Sequence, residues 1–137
     1  MKAIFLDLDG VLNRGGDFRP GHLDPDLVTI ANRLAAPDVA FYIHSLWMLE
    51  LSEETTAECL HRAGFKGRFG GYAIYDDNRV KRILETIAAK GPFERYVVLD
   101  DIKLTGFEAY QVRVSSKYGL RDIDVNEALE ILGRTRP

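Results

Sequence analysis

The sequence predicts an α/β protein built on a mainly parallel, doubly wound sheet, with helices on both faces in three layers. Two observations carry that expectation. Apolar, strand-like runs alternate with amphipathic helical segments along the 137 residues. The runs KAIFLDL and RYVVLDD are also apolar almost throughout, as strands covered on both faces are, rather than alternating apolar and polar.

Taken in order, residues 2–8 read as the first buried strand, and the Gly- and Pro-rich RGGDFRPG at 14–21 as loop. Asp24 followed by Pro25 opens a helix of about three turns, with Leu27, Ile30, Ala31 and Leu34 on one face. VAFYI at 39–43 is a second strand, and Ser52 with Glu53 and Glu54 starts a helix that Gly64 can stop. Residues 65–78 carry three glycines and four aromatics, which reads as loop with room for one short strand. RVKRILETIAAKG is a helix with Val80, Ile83, Leu84 and Ile87 turned inward. RYVVLDD, YQVRVSS and VNEALEILGR complete the pattern as strand, strand and closing helix.

Composition narrows the function. A chain of this length with 46% hydrophobic residues fits one compact domain over 1–137 and leaves no room for a second of ordinary size. The net charge of −3, from 18 basic and 21 acidic residues, gives no global basic footprint for nucleic acid. Cys59 is the single cysteine, which excludes an intrachain disulfide and a Cys-rich metal site. Asp7 and Asp9 interrupt the first apolar run too early for a signal peptide, and no run approaches the ~18 residues of a membrane span. The expectation is a soluble, cytoplasmic protein without a membrane partner.

The first strand ends in FLDLDGVLN and a later one in VVLDD. In a parallel sheet, ligands sit beyond the carboxyl ends of the strands, so Asp7, Asp9, Ser45, Asp100 and Asp101 fall on one rim. Four carboxylates brought together raise one another's pKa, and a bound cation is the simplest way to keep them ionised. Oxygen ligands without His or Cys suit a hard ion, Mg²⁺ above all, with waters left exchangeable for phosphate chemistry. An ionised Asp can attack phosphorus while a second carboxyl moves the proton of the leaving group. Gly10 lets the chain turn sharply and bring amides towards a phosphate.

These motifs resemble those of the haloacid dehalogenase-like (HAD) hydrolase superfamily. FLDLDGVLN resembles its first motif, FYIHS its second, NRVKRILETI supplies the cation that opens a helix, and YVVLDD resembles its last acidic motif. All four stand in the family's order and span most of the chain. HSLWM and the later YGLRDIDVNEALEIL bring it nearest to a small branch whose members accompany RNA-repair enzymes. The resemblance implies a Rossmann-like fold and a Mg²⁺-dependent phosphatase working through an aspartyl-phosphate on Asp7. It makes Asp7 nucleophile and metal ligand, and Asp9 general acid/base with its backbone carbonyl on the metal. Asp100 and Asp101 complete the metal site; Ser45 with Arg79 or Lys81 binds phosphate, Arg79 preferred for its place four before Ile83. Asn13 orders the loop after the nucleophile. Two departures stand out: His44 replaces the first Ser of the branch's Ser-Ser pair, and Met48 replaces an Arg. His44 then becomes a candidate substrate contact. A domain that keeps the phosphate and metal site for an interaction role, without turnover, is the alternative those departures support.

Neither the roughly 25 residues between Asn13 and the second strand nor the 33 between Ser45 and Arg79 can hold a separate cap domain, which needs about 40. The site is expected to be open, taking a phosphorylated small molecule or a larger substrate such as a nucleic-acid end. Arg14, Arg19, Lys66 and Arg68, with Phe18, Phe65, Phe69 and Tyr72, offer a basic and aromatic rim for a polynucleotide terminus. Two solvated loops with their aromatics tucked inward account for the same composition. A signalling receiver domain, which also uses an Asp cluster and a Lys, is excluded by where the acids fall.

Overall fold

A computed structural model describes residues 1–14, 19 and 21–133. Five parallel strands form one sheet in the order β3-β2-β1-β4-β5: β1 Lys2–Leu6, β2 Val39–Ile43, β3 Arg68–Tyr72, β4 Tyr96–Asp100 and β5 Gln111–Arg113. The helices are α1 Pro25–Ala31, α2 Glu53–Arg62, α3 Arg79–Lys90 and α4 Asp122–Ile131. This is the expected Rossmann-like α/β architecture.

Alternate strand residues feed two cores, as the period of two requires. Ile4, Leu6, Phe41, Ile43, Val97, Leu99 and Val112 face the larger one, closed by Leu27 and Val28 of α1, Leu60 of α2 and Val125 and Leu129 of α4. Ala3, Phe5, Ala40, Tyr42 and Val98 face the smaller one, where Ile83 of α3 is buried and Val80, Ile87, Phe93 and Tyr96 pack around it. The chain leaves β1 in one direction towards β2 and β3, then crosses back to β4 and β5 on the other side. Strand order therefore reverses between β1 and β4, the crevice where open α/β sheets bind ligands.

Two local expectations need correcting. The first helix is shorter: α1 ends at Ala31 and a 3-10 turn takes over at Asn32–Leu34, with Val28 rather than Ile30 fully buried. Leu84 does not face inward; it is 52% exposed, while Arg82 and Thr86 take the buried positions on α3. The glycine-rich RFGGY is the one short strand that residues 65–78 had room for, at the edge of the sheet, reached through a register shift opposite Phe41 and Tyr42. Its Gly70 lies against the Tyr42 ring, where a Cβ would come within 2.9 Å of Cε1.

Candidate functional site

Register builds the site. Leu6 pairs with Ile43 on one side and Leu99 on the other, so the next residues out, Asp7, His44 and Asp100, stand in a row. By parity they continue Phe5, Tyr42 and Val98 and face α3, where the smaller core gives way to charge. All three are buried: Asp7 at 2%, His44 and Asp100 at 0% exposure. Asp7 N donates to the Leu99 carbonyl at 3.0 Å and His44 N to that of Leu6 at 3.1 Å, which extends the ladder to the site itself.

The first residue of α3 supplies the counter-charge. Arg79 Nη1 donates to Asp7 Oδ2 at 3.1 Å and to Asp100 Oδ1 and Oδ2 at 3.1 and 2.9 Å. Asn78 caps this helix end, its Oδ1 accepting the Lys81 amide at 3.1 Å, and so aims Arg79 across the strand tips. Lys81 itself is exposed. Of the two cations expected for this position, Arg79 is the one the fold brings to the acids.

Even with that guanidinium, burial and the charge of Asp100 push the Asp7 carboxyl well above the usual carboxylate range. Asp101 is raised too, by burial first and then by Asp100. His44 moves the other way: burial, with Arg79 and Arg82 nearby, lowers its imidazole to about 3. It is neutral at physiological pH. Its Nε2 lies 3.7 Å from Asp100 Oδ2, too far for a hydrogen bond, and neither ring nitrogen has a hydrogen-bond partner among the described residues.

Asp9 belongs to a second arrangement. Its Oδ1 accepts from Trp47 Nε1 at 2.9 Å and from Asn13 Nδ2 at 3.0 Å. Asn13 is fully buried and also accepts the Gly10 amide at 2.9 Å and donates to the His22 carbonyl at 3.1 Å. It ties the turn together, and it occupies the Gly10 amide that the sequence offered to a phosphate. Gly10 has φ +83°, and a Cβ there would meet Asp101 Oδ2 at 2.6 Å. Only glycine lets the loop close over the acids. Ser45, 1% exposed, caps the turn Leu46–Leu49 by accepting the Trp47 amide at 3.3 Å, leaving its own proton to donate.

Two residues at this site were not legible as site residues. Trp47 packs in the core as its apolar bulk suggests, but its indole N–H reaches Asp9, and only a map of tertiary contacts reveals that. Arg82 is 3% exposed, donates to the Asp76 carbonyl, lies 5.1 Å from the Tyr75 ring centre and leaves Nη1 without a partner. Its spacing of three from Arg79 was the available signal, masked by the general basicity of the helix.

Of the two readings of these loops, the described residues follow the one with aromatics tucked inward, not the basic and aromatic rim. Phe65 packs edge-on against Phe41, ring centres 4.9 Å apart, and Phe69 and Tyr72 pack on the larger core. Arg14 pairs with Asp24 and Asp26. Lys66 and Arg68 line a groove with Ala35–Pro37, and Arg68 pairs with Ala40 near the start of β2, at the opposite end of the sheet. Phe18 lies outside the described residues.

Asp7, Asp100 and Asp101 each offer an oxygen, and these lie within 4.8 Å of one another. Three hard donors, of which burial and then the neighbouring Asp100 raise Asp7 and Asp101, fit a small divalent cation, whose charge would favour the ionised carboxylates. Asp9 is not part of this trio. Among the described residues no helix is long and apolar enough to cross a membrane.

Comparison with known proteins agrees with this geometry. No curated protein and no solved structure matches the chain. Residues 3–125 do match one family, and that span contains every residue of the acid row, its arginine and the Asp9 arrangement. The chain belongs to the family described as the HAD domain in Swiss Army Knife RNA repair proteins.

Proposed function

We propose that this protein is a Mg²⁺-dependent phosphomonoesterase of the HAD type, a single capless domain acting on the phosphorylated end of a large substrate. The observation that carries the reading is the Asp7–Arg79–Asp100 arrangement: a buried carboxylate at the strand order reversal, held by a guanidinium and flanked by two more acids. Asp7, Asp100 and Asp101 would hold the metal, with the Asp9 carbonyl as a further ligand. When bound, the ion supplies charge neutralisation for an incoming phosphate.

In this reading Asp7 attacks phosphorus, the ester P–O bond breaks, and the leaving oxygen takes its proton from Asp9. Water then attacks the aspartyl-phosphate, gives its proton to Asp9, and inorganic phosphate leaves with Asp7 restored. Trp47 and Asn13 grip one oxygen of Asp9 and so present the other. Arg79 neutralises the phosphoryl oxygens, and the Ser45 hydroxyl donates to one of them. His44, at the β2 end of the row, would contact the phosphoryl group only as a neutral imidazole.

Hydrolysis of an aryl phosphate with Mg²⁺, without it, and by Asp7→Asn tests the reading. Turnover that requires Mg²⁺ and disappears in Asp7→Asn is expected. Absence of turnover together with Mg²⁺ binding by calorimetry would favour the second reading, a metal-binding interaction domain, for which the partnerless His44 is the supporting observation.

A further inference from the structure

Beside the acid trio opens a polar groove of about 340 Å³, lined by Asp101, Arg113, Val114, Ser115, Ser116 and Arg121. Asp101 belongs to both the trio and the groove. Ser116 comes up against the loop after β1, since a Cβ on Gly10 would lie 3.1 Å from its own. The groove therefore begins where the candidate site ends.

Its cations are engaged mainly through their Nε atoms. Arg113, paired in register with Asp100, donates through Nε to the Asp101 carbonyl at 3.3 Å. Its two Nη atoms make no hydrogen bond among the described residues. Arg121 is exposed and has only Asp124 near its Nε, at 3.7 Å. Between Arg121 and Lys117 stands Tyr118, 51% exposed, with the two charges 5.8 and 5.3 Å from its ring centre. Two guanidinium forks suit a phosphate, and an exposed ring flanked by cations suits a base.

We propose that this groove holds the internucleotide phosphodiester next to the terminal phosphate of a single-stranded nucleic acid, with the adjoining base on Tyr118. The proposal rests on the reading of Asp7 as the site of the terminal phosphate. One nucleoside joins the two anions, which is why the two arginines stand beside the acid trio instead of within it. A phosphoprotein would bring a single phosphate to Asp7 and leave both forks unanswered.

Fluorescence anisotropy of a tagged single-stranded pentanucleotide, phosphorylated at the untagged 5′ or 3′ end, tests the groove without needing turnover. Arg113→Ala with Arg121→Ala is expected to weaken binding at least tenfold and to lower the salt slope by about 1. Tyr118→Ala is expected to weaken it about tenfold. Lys66→Ala with Arg68→Ala removes the same charge from the opposite rim and is expected to leave binding unchanged. Equal loss in the two double variants, or none in the first, overturns the groove. If the first double variant melts early, Arg121→Glu, at an exposed position, repeats the measurement with the same expectation. Failure of aryl phosphate turnover would instead count against the phosphatase reading, so the two results separate.

Discussion

The two faces of the sheet solve different problems. The face under α1, α2 and α4 is apolar out to the strand tips, where Leu6, Leu8, Ile43, Leu99 and Val114 are all buried. The face under α3 starts with the same apolar logic, but as aromatics: Phe5 stacks on Tyr42 with ring centres 5.8 Å apart, and Phe93, Tyr96 and Phe107 close around them. One residue beyond, it turns to Asp7, His44, Asp100, Arg79 and Arg82. The first face supplies stability. The second gives some of it up to keep charge out of water, at the one place where the fold offers a crevice.

Substitution on each face should separate those roles, and the largest effect on stability belongs to the wholly apolar side. Phe41→Ala, in the middle of β2, is expected to cost about 3–5 kcal/mol by chemical denaturation. Asp7→Asn is expected to show no such loss, because it removes a carboxylate that burial already disfavours, while phosphatase activity vanishes. A comparable destabilisation by Asp7→Asn would erase the contrast.

Arg79→Ala comes next. It leaves Asp7 and Asp100 facing each other, and a loss of about 2–3 kcal/mol is expected, tempered because the Arg79 side chain is 24% exposed. Millimolar Mg²⁺ should restore much of it if the acids hold a metal, and denaturation with and without the ion measures both numbers.

The third prediction concerns acid. His44 stays neutral in the fold down to about pH 3, whereas the unfolded chain protonates it below about 6.5. Its contribution therefore makes stability fall as pH drops through that window, by about 1.4 kcal/mol per unit. His44→Leu removes the slope, so the variant should gain on the wild type by at least ~2 kcal/mol between pH 6.5 and 4.5. Parallel stability curves would mean that His44 is not held neutral.

Trp47→Phe should cost stability less than Arg79→Ala, about 1–2 kcal/mol for one lost hydrogen bond and the space a smaller ring leaves in the core. Its kinetic signature is sharper. If the indole positions Asp9 as a proton donor, hydrolysis of alkyl phosphates, whose leaving groups need the proton, should slow far more than that of nitrophenyl phosphate. Equal slowing of both would assign Trp47 to packing alone.

Much of this was visible in the chain. The apolar runs ending in Asp7 and in Asp100-Asp101 predicted both the parallel sheet and the convergence of acids, because buried parallel strands leave a plain apolar signature and ligands gather at their carboxyl ends. What stayed hidden depends on contacts far apart in sequence. The glycines in RFGGY, of which Gly70 lies against the Tyr42 ring, weaken the strand signal of β3 to room for one short strand in a loop. Trp47 reads as bulk until the fold places Asp9 within 2.9 Å of its nitrogen. Outside the acid row and α3, the cations beside the site are Arg113 and Arg121, since Arg68 opens β3 at the far end, a distinction that strand direction makes and composition does not.

β1 is the middle strand, paired along its length with β2 on one side and β4 on the other. Asp7 thus hangs from the part of the sheet that is last to come apart, since either edge can fray while the centre stays paired. The amide of Asp7, bonded to Leu99, should exchange with deuterated water only when the whole molecule opens. Heat would then silence this chain all at once: the temperature at which it stops working and the temperature at which it melts should be one and the same.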